Sequence, residues 1–216
     1  MHTLESLIKQ YASQYLEQVV AWRRHIHSHP ELSGEEQETS LYIQKILGEL
    51  GIPYVNDVSD YAVIGEIQGA HTGPVIALRA DIDALPIHEE TGLPFASQNE
   101  GVMHACGHDG HISILLGAAA VLQSIKEELH GTVKLVFQPS EEEALFPGAQ
   151  GIVDSGILDD VDEIFGLHVW PQLPVGTVGL KKGHLMAASD HFLVHIHGKS
   201  THGAEPHNGI DAIVAA

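Results

Sequence analysis

A single cysteine, Cys106, stands in the 216-residue sequence, so no disulfide can close within the chain. Positive charge is also scarce: 10 Lys and Arg face 29 Asp and Glu, a formal net charge of −19. A surface so negative repels phosphate backbones, which excludes a nucleic-acid binder working through a basic face. Long apolar runs are missing. The longest mostly apolar stretch, Ile112 to Leu122, falls far short of the roughly 20 residues of a membrane span. The N-terminal Met1-His2-Thr3-Leu4-Glu5 has no basic segment leading into an apolar core, so no secretory signal is read there. A cytoplasmic protein without membrane or nucleic-acid partners is expected.

Histidine, by contrast, is abundant. Ten of the 17 histidines gather as His25, His27 and His29, as His104, His108 and His111, and as His195, His197, His202 and His207. Imidazole is the commonest neutral metal ligand, so such grouping points to a metal site. At the other end, Asn208 to Ala216 reads as a helix just begun, with no cap or polar tail. The chain is therefore expected to be cut short.

Apolar spacing predicts a helix from Leu4 to His27, stopping before His29-Pro30. Ser33 and Glu36 form an expected capping box for a second helix that ends at Gly51. Strands are predicted at Tyr61–Ile67, Val75–Arg79, Val133–Phe137 and Glu163–Leu167, with helices at Asp109–Leu129 and Ala149–Asp154. Strands alternating with helices argue for an α/β layer sandwich. Beyond Leu180 the character changes: Ser189 to His197 alternates as a strand, and a helix begins at Asn208.

Chemistry-bearing residues collect where predicted strands run out. Asp81 and Asp83 follow one strand, Glu141, Glu142 and Glu143 a second, and His168 a third, while Cys106-Gly107-His108 opens a helix. Ligands of open α/β sheets bind beyond the carboxyl ends of strands, so these segments can converge on one site. Cys106 and His108 can face one metal if the backbone bends at Gly107; a buried cysteine beside a helix-capping histidine is the bland alternative. Thiolate and imidazole suit zinc, cobalt or manganese better than magnesium or calcium. Adjacent carboxylates let one bind metal while its neighbour acts as a general base, although a run of acids is also what a solvated loop looks like. His168 could equally pack beside Trp170, and His202 and His207 could belong to a polar turn.

Taken in order, Arg23 to Leu32, Leu78 to Pro86, Met103 to His111, Phe137 to Glu142, Gly166 to Pro171 and Gly198 to Asp211 resemble the M20 metallopeptidases. Within them the chain is most similar to the amidohydrolase branch of aminoacylase-like, hippurate and auxin-conjugate hydrolases. The resemblance implies an α/β fold: a three-layer catalytic domain with a mixed sheet over residues 1–182, then the start of an α+β lid and dimerisation domain over 183–216. It implies two divalent metal ions (Zn, Mn, Co or Ni) held by Cys106, His108, Glu142 and His168. Glu141 falls on the general base and Asp81 on an acid that helps set up the metal centre. His202 matches a lid histidine that steadies the oxyanion in a partner subunit, so a homodimer is expected. The implied substrate is a small N-acyl amino acid, with a dipeptidase or carboxypeptidase as the alternative. Two departures stand out. Glu143 occupies a place where the branch has glycine. Family members are also longer, with a further histidine ligand and the rest of the lid beyond residue 216, so a catalytically incomplete fragment is the competing expectation.

Overall fold

The computed structural model describes residues 3–143, 148–187 and 192–216. Contacts divide the chain into two compact units, Met1–Pro174 and Val175–Ala216, beside the boundary at 182/183 that the family resemblance implies.

The first unit opens with helix α1 (Leu4–Ser28), whose N-cap Thr3 accepts the Ser6 N–H at 3.3 Å. Helix α2 (Gln37–Glu49) follows. The capping box expected from Ser33 and Glu36 does not form. The Ser33 hydroxyl donates to Asp83 at 2.7 Å instead, and α2 is capped from outside its own segment. The Glu31 carboxylate accepts the N–H groups of Glu38 and Thr39 at 3.0 and 2.7 Å. It satisfies orphan donors there and places a negative charge at the positive end of the helix dipole.

The sheet has five strands: β1 (Tyr54–Val55), β2 (Val63–Gln68), β3 (His71–Asp81), β4 (His130–Gln138) and β5 (Glu163–Gly166). Their spatial order is β1-β2-β4-β3-β5. Pairs β1/β2 and β2/β4 are antiparallel, whereas β4, β3 and β5 run parallel. Helix α3 (His108–Ser124) connects β3 to β4, and α4 (Gly148–Asp154) lies between β4 and β5 in sequence. The path steps from β3 to β4 in one direction and back past β3 to β5 in the other, and the two connecting helices lie on opposite faces, as right-handed crossovers require. Alternation along the strands sorts two cores. Val63, Ile67, Leu135 and Phe137 pack with Ile43, Leu47, Ile112 and Leu116 of the helices on one face. Ile64, Ala77 and Val136 pack with Ile152 on the other. The expected three layers and mixed sheet are present.

Helix α3 stops at Ser124, short of the expected Leu129, and a 3₁₀ turn at Lys126–Glu128 leads into β4. In the second unit no described residue is buried. Lys199 and Ile210 form an isolated antiparallel bridge, and a short helix α5 (Ala212–Ala215) is capped by Asp211, four residues into the expected start at Asn208. The strand expected from Ser189 to His197 is absent over 192–197, and residues 189–191 lie outside the described residues. Among the described residues, alternating Phe192, Val194 and Ile196 meet no pairing strand, and an unpaired segment cannot close a ladder.

Candidate metal centre

The parallel strands deliver their side chains to one end of the sheet. Asp81, the last residue of β3, pairs in register with Gln138, the last of β4. Residues 139–142 continue from β4, and His168 lies two residues past β5. The N-terminus of α3 meets them there. Gly107 makes that approach geometrically feasible: its φ is +86°, and a Cβ on it would stand 2.3 Å from Cγ2 of Val169.

Cys106, His108 and His168 offer ligand atoms within 4.8 Å of one another, and so do His108, Glu141 and Glu142. His108 belongs to both sets. Its Nδ1 donates to the backbone and side-chain oxygens of Asp83 at 2.9 and 3.0 Å, so its Nε2 carries the lone pair. That nitrogen is buried and finds no hydrogen-bond partner among the described residues. Around it stand Asp81 Oδ2 at 3.7 Å, Glu141 Oε2 at 3.8 Å and Glu142 Oε1 at 3.8 Å. His168 is arranged in the same way: Nδ1 donates to the Val169 carbonyl at 2.6 Å, and Nε2 lies 3.3 Å from Cys106 Sγ. Two imidazoles whose far nitrogens are tied to oxygen acceptors and whose near nitrogens face thiol and carboxylates fit a divalent metal ion.

His111 differs. Its Nδ1 donates to Asp81 Oδ1 at 2.5 Å and its Nε2 accepts the Val169 N–H at 2.9 Å. Both nitrogens are engaged, so His111 supports the site rather than ligating. Asp81 in turn accepts from Arg79 at 2.6 Å.

The field at the site is strongly negative. Burial together with Glu142, Glu141 and Asp81 pushes the Cys106 thiol up to about 12. Burial alone would lower His108, yet Asp83, Asp81 and Glu142 outweigh it and raise its pKa. Burial, Asp81 and Glu142 raise Glu141 as well, which moves a carboxylate toward the range of a useful general base. Burial opposes the charge on Asp81, but the His111 hydrogen bond, His108 and Arg79 prevail and hold it at about 2.

Of the residues singled out in the sequence, Asp81, Cys106, His108, Glu141, Glu142 and His168 come together. His202 lies in the second unit, exposed, with Nδ1 accepting the Ala204 N–H at 3.2 Å. The sequence placed Asp83 at a strand end and His111 in a histidine cluster but gave neither a role. Asp83 is 1% exposed and binds His108, Ser33 and the Glu142 amide at 2.8 Å. Its spacing from Asp81 was visible, but a pair of acids at a strand end carries no mark of which one turns toward the histidine.

An α/β sheet with sulfur, imidazole and carboxylate donors at the carboxyl ends of its parallel strands defines a metal-binding protein of the open-sheet class. The model of Peptidase family M20/M25/M40 matches residues 77–214, and the chain belongs to that family. It is 52% identical over 199 residues to the N-acetyl-L-cysteine deacetylase of Bacillus subtilis (strain 168), covering 92% of this chain and 47% of that protein. To the N-acyl-L-amino acid amidohydrolase of Geobacillus stearothermophilus it is 44% identical over 207 residues, covering 95% and 55%. The crystal structure of the Bacillus subtilis YXEP protein, a dinuclear metal-binding peptidase of the M20 family, superposes with a TM-score of 0.74 at 48% identity, over 81% of this chain and 48% of that one. The chain spans about half the length of the relatives it matches.

Proposed function

We propose that the protein is a metal-dependent amidohydrolase that cleaves the amide bond of N-acyl amino acids, releasing a carboxylic acid and a free amino acid. The observation that carries this reading is the buried, unpartnered Nε2 of His108, faced by a thiol and carboxylates. The activities named for the two relatives point to the same substrate class. Cys106, His108, Glu142 and His168 would hold two divalent ions, with zinc, cobalt, nickel and manganese all suited to such donors. When bound, those ions supply Lewis acidity toward the scissile carbonyl and the attacking water.

The protein's own groups do the rest. Asp83 fixes the His108 tautomer so that Nε2 is always presented. Glu141, with its raised pKa and half-exposed carboxyl, takes a proton from the attacking water and returns it to the leaving amine. Asp81, ionised between His111 and Arg79, keeps the floor of the site negative. The His202 ring accepts at Nδ1, so its neutral form carries the proton on Nε2 and can donate to an oxyanion in a neighbouring subunit of a homodimer. A metal-ligating thiol suits a reducing compartment, which supports a cytoplasmic location; no helix among the described residues is long and apolar enough to cross a membrane.

Replacing Glu141 by Gln in the full-length protein tests the assignment. Turnover of an N-acetyl amino acid should vanish while bound metal, measured by elemental analysis, stays at the wild-type level. Undiminished turnover would refute the role given to Glu141.

A further inference from the structure

Ser140 has a φ of +51°, in the left-handed region that residues other than glycine rarely enter. It stands immediately before Glu141 and Glu142. Along an extended chain, successive side chains point to opposite faces. Here both carboxylates come within 3.8 Å of one atom, Nε2 of His108. The backbone must bend to bring them there, and the left-handed residue is where the bend starts.

What holds Ser140 in that conformation comes from far away in sequence. Glu36, directly before α2 and 0% exposed, accepts the Ser140 N–H through Oε1 at 2.7 Å, with the Ser140 hydroxyl 3.4 Å from the same oxygen. Its other oxygen, Oε2, is buried and has no hydrogen-bond partner among the described residues. Withdrawing a carboxylate from water works against folding, and backbone amides offset that cost only in part. Burial and the nearby charge of Asp83 raise its pKa, in spite of the Ser140, Glu36 and Gly34 amides. An unfavourable buried acid that restrains a sparsely populated backbone conformation, one residue from a candidate base, marks strain retained for function. The far side of the turn is tied as well, since the Glu142 N–H donates to Asp83 at 2.8 Å. Glu141 thus lies between two anchored amides.

We propose that Glu36 is a positioning residue: by holding the Ser140 amide it maintains the left-handed turn that aims Glu141 and Glu142 together at His108. The kinetic consequence rests on the amidohydrolase reading above, whereas the effect on the metal site does not.

The test uses the full-length protein loaded with cobalt(II), read by its visible spectrum, beside kcat and KM for an N-acetyl amino acid. Glu36→Leu removes the acceptor. It should lower kcat by about tenfold or more with KM little changed, because misplacement by 1 Å can cost on the order of a hundredfold, and it should alter the cobalt bands. Glu36→Gln keeps an oxygen for the amide and should stay near wild type in both readouts. Adding Ser140→Gly to Glu36→Leu should restore much of the lost kcat and the wild-type spectrum, since glycine enters the left-handed region unaided. A purely structural role would show no such rescue. Should Glu36→Leu fail to fold, Ser140→Val carries the test: with Glu36 intact, a β-branched residue resists positive φ, and the same loss and spectral change are expected. Wild-type rate and spectrum in Glu36→Leu or Ser140→Val, a Glu36→Gln variant as impaired as Glu36→Leu, or a glycine that rescues nothing would overturn the proposal. If wild-type protein hydrolyses no N-acyl amino acid, the substrate class fails, and the cobalt spectra alone decide the role of Glu36.

Discussion

Asp83 offers the sharpest perturbation of the metal centre that leaves every proposed ligand in place. Its Oδ1 accepts His108 Nδ1 at 3.0 Å, while Oδ2 accepts the Ser33 hydroxyl at 2.7 Å and the Glu142 amide at 2.8 Å. Hydrogen bonds to a charged group contribute about 1.5–3 kcal/mol each. Asp83→Ala strands the Glu142 amide in a partly buried position and should lower the stability of the metal-free protein by about 3 kcal/mol. The His108 ring is not set adrift, because the backbone carbonyl of residue 83 still accepts its Nδ1–H at 2.9 Å. Losing a partner behind a metal-binding histidine weakens metal affinity by roughly 10–100-fold. With that carbonyl retained, the expectation is the lower end, about tenfold or 1.4 kcal/mol. Asp83→Asn should fall between wild type and alanine: an amide can offer its oxygen to His108 or to Glu142, and then turns its NH₂ toward the other donor. The assay is a zinc titration of metal-free, full-length protein against a competing chelator, paired with urea unfolding of the same preparations. A Kd within about twofold of wild type in Asp83→Ala, alongside the stability loss, would reduce Asp83 to a packing role and refute its coupling to the metal site.

Two further outcomes follow from groups beside the centre. Burial lowers the pKa of His104 to about 4, and both its ring nitrogens are without hydrogen-bond partners among the described residues. Between pH 6.5 and 4 the unfolded chain therefore binds a proton that the folded one refuses, so stability should decline as pH falls through that window, by up to about 3 kcal/mol. His104→Leu should flatten that limb of the stability–pH curve, and an unchanged slope would show that His104 titrates normally. Gly107→Ala places a Cβ 2.3 Å from Val169 at a φ of +86°. It should cost about 1–3 kcal/mol in chemical unfolding and reduce bound metal, since the Val169 backbone also anchors His111 and His168. Full metal content in that variant would contradict the tight approach of α3 to the segment after β5.

The long amphipathic and apolar helices α1 and α3 were legible in the sequence because their periodicity is set by burial on one face. The parallel strands β3 and β4 were legible as apolar runs, although each extends further than its run, since His71 pairs with His130 beyond an irregularity between His71 and Val75 where no apolar pattern marks it. Strand β1 has two exposed residues and no pattern at all. The capping box at Ser33 failed for a tertiary reason: Asp83 claims the hydroxyl, and Glu31 reaches the helix first. The ligand-bearing segments could be read because they sit at strand ends, which is a matter of topology. The orienting groups Asp83, His111 and Glu36 could not, because their roles depend on which atom each faces across gaps of 25, 30 and 104 residues.

Cys106 and the histidines at the sheet's carboxyl edge are proposed to bind a catalytic metal ion. Zinc K-edge X-ray absorption on the full-length protein tests it most directly. A sulfur shell near 2.3 Å beside nitrogen and oxygen ligands is expected in the wild type, and it should disappear in Cys106→Ser while the lighter shell persists. A wild-type spectrum fitted by nitrogen and oxygen alone, or a sulfur shell that survives Cys106→Ser, would rule out Cys106 as a metal ligand.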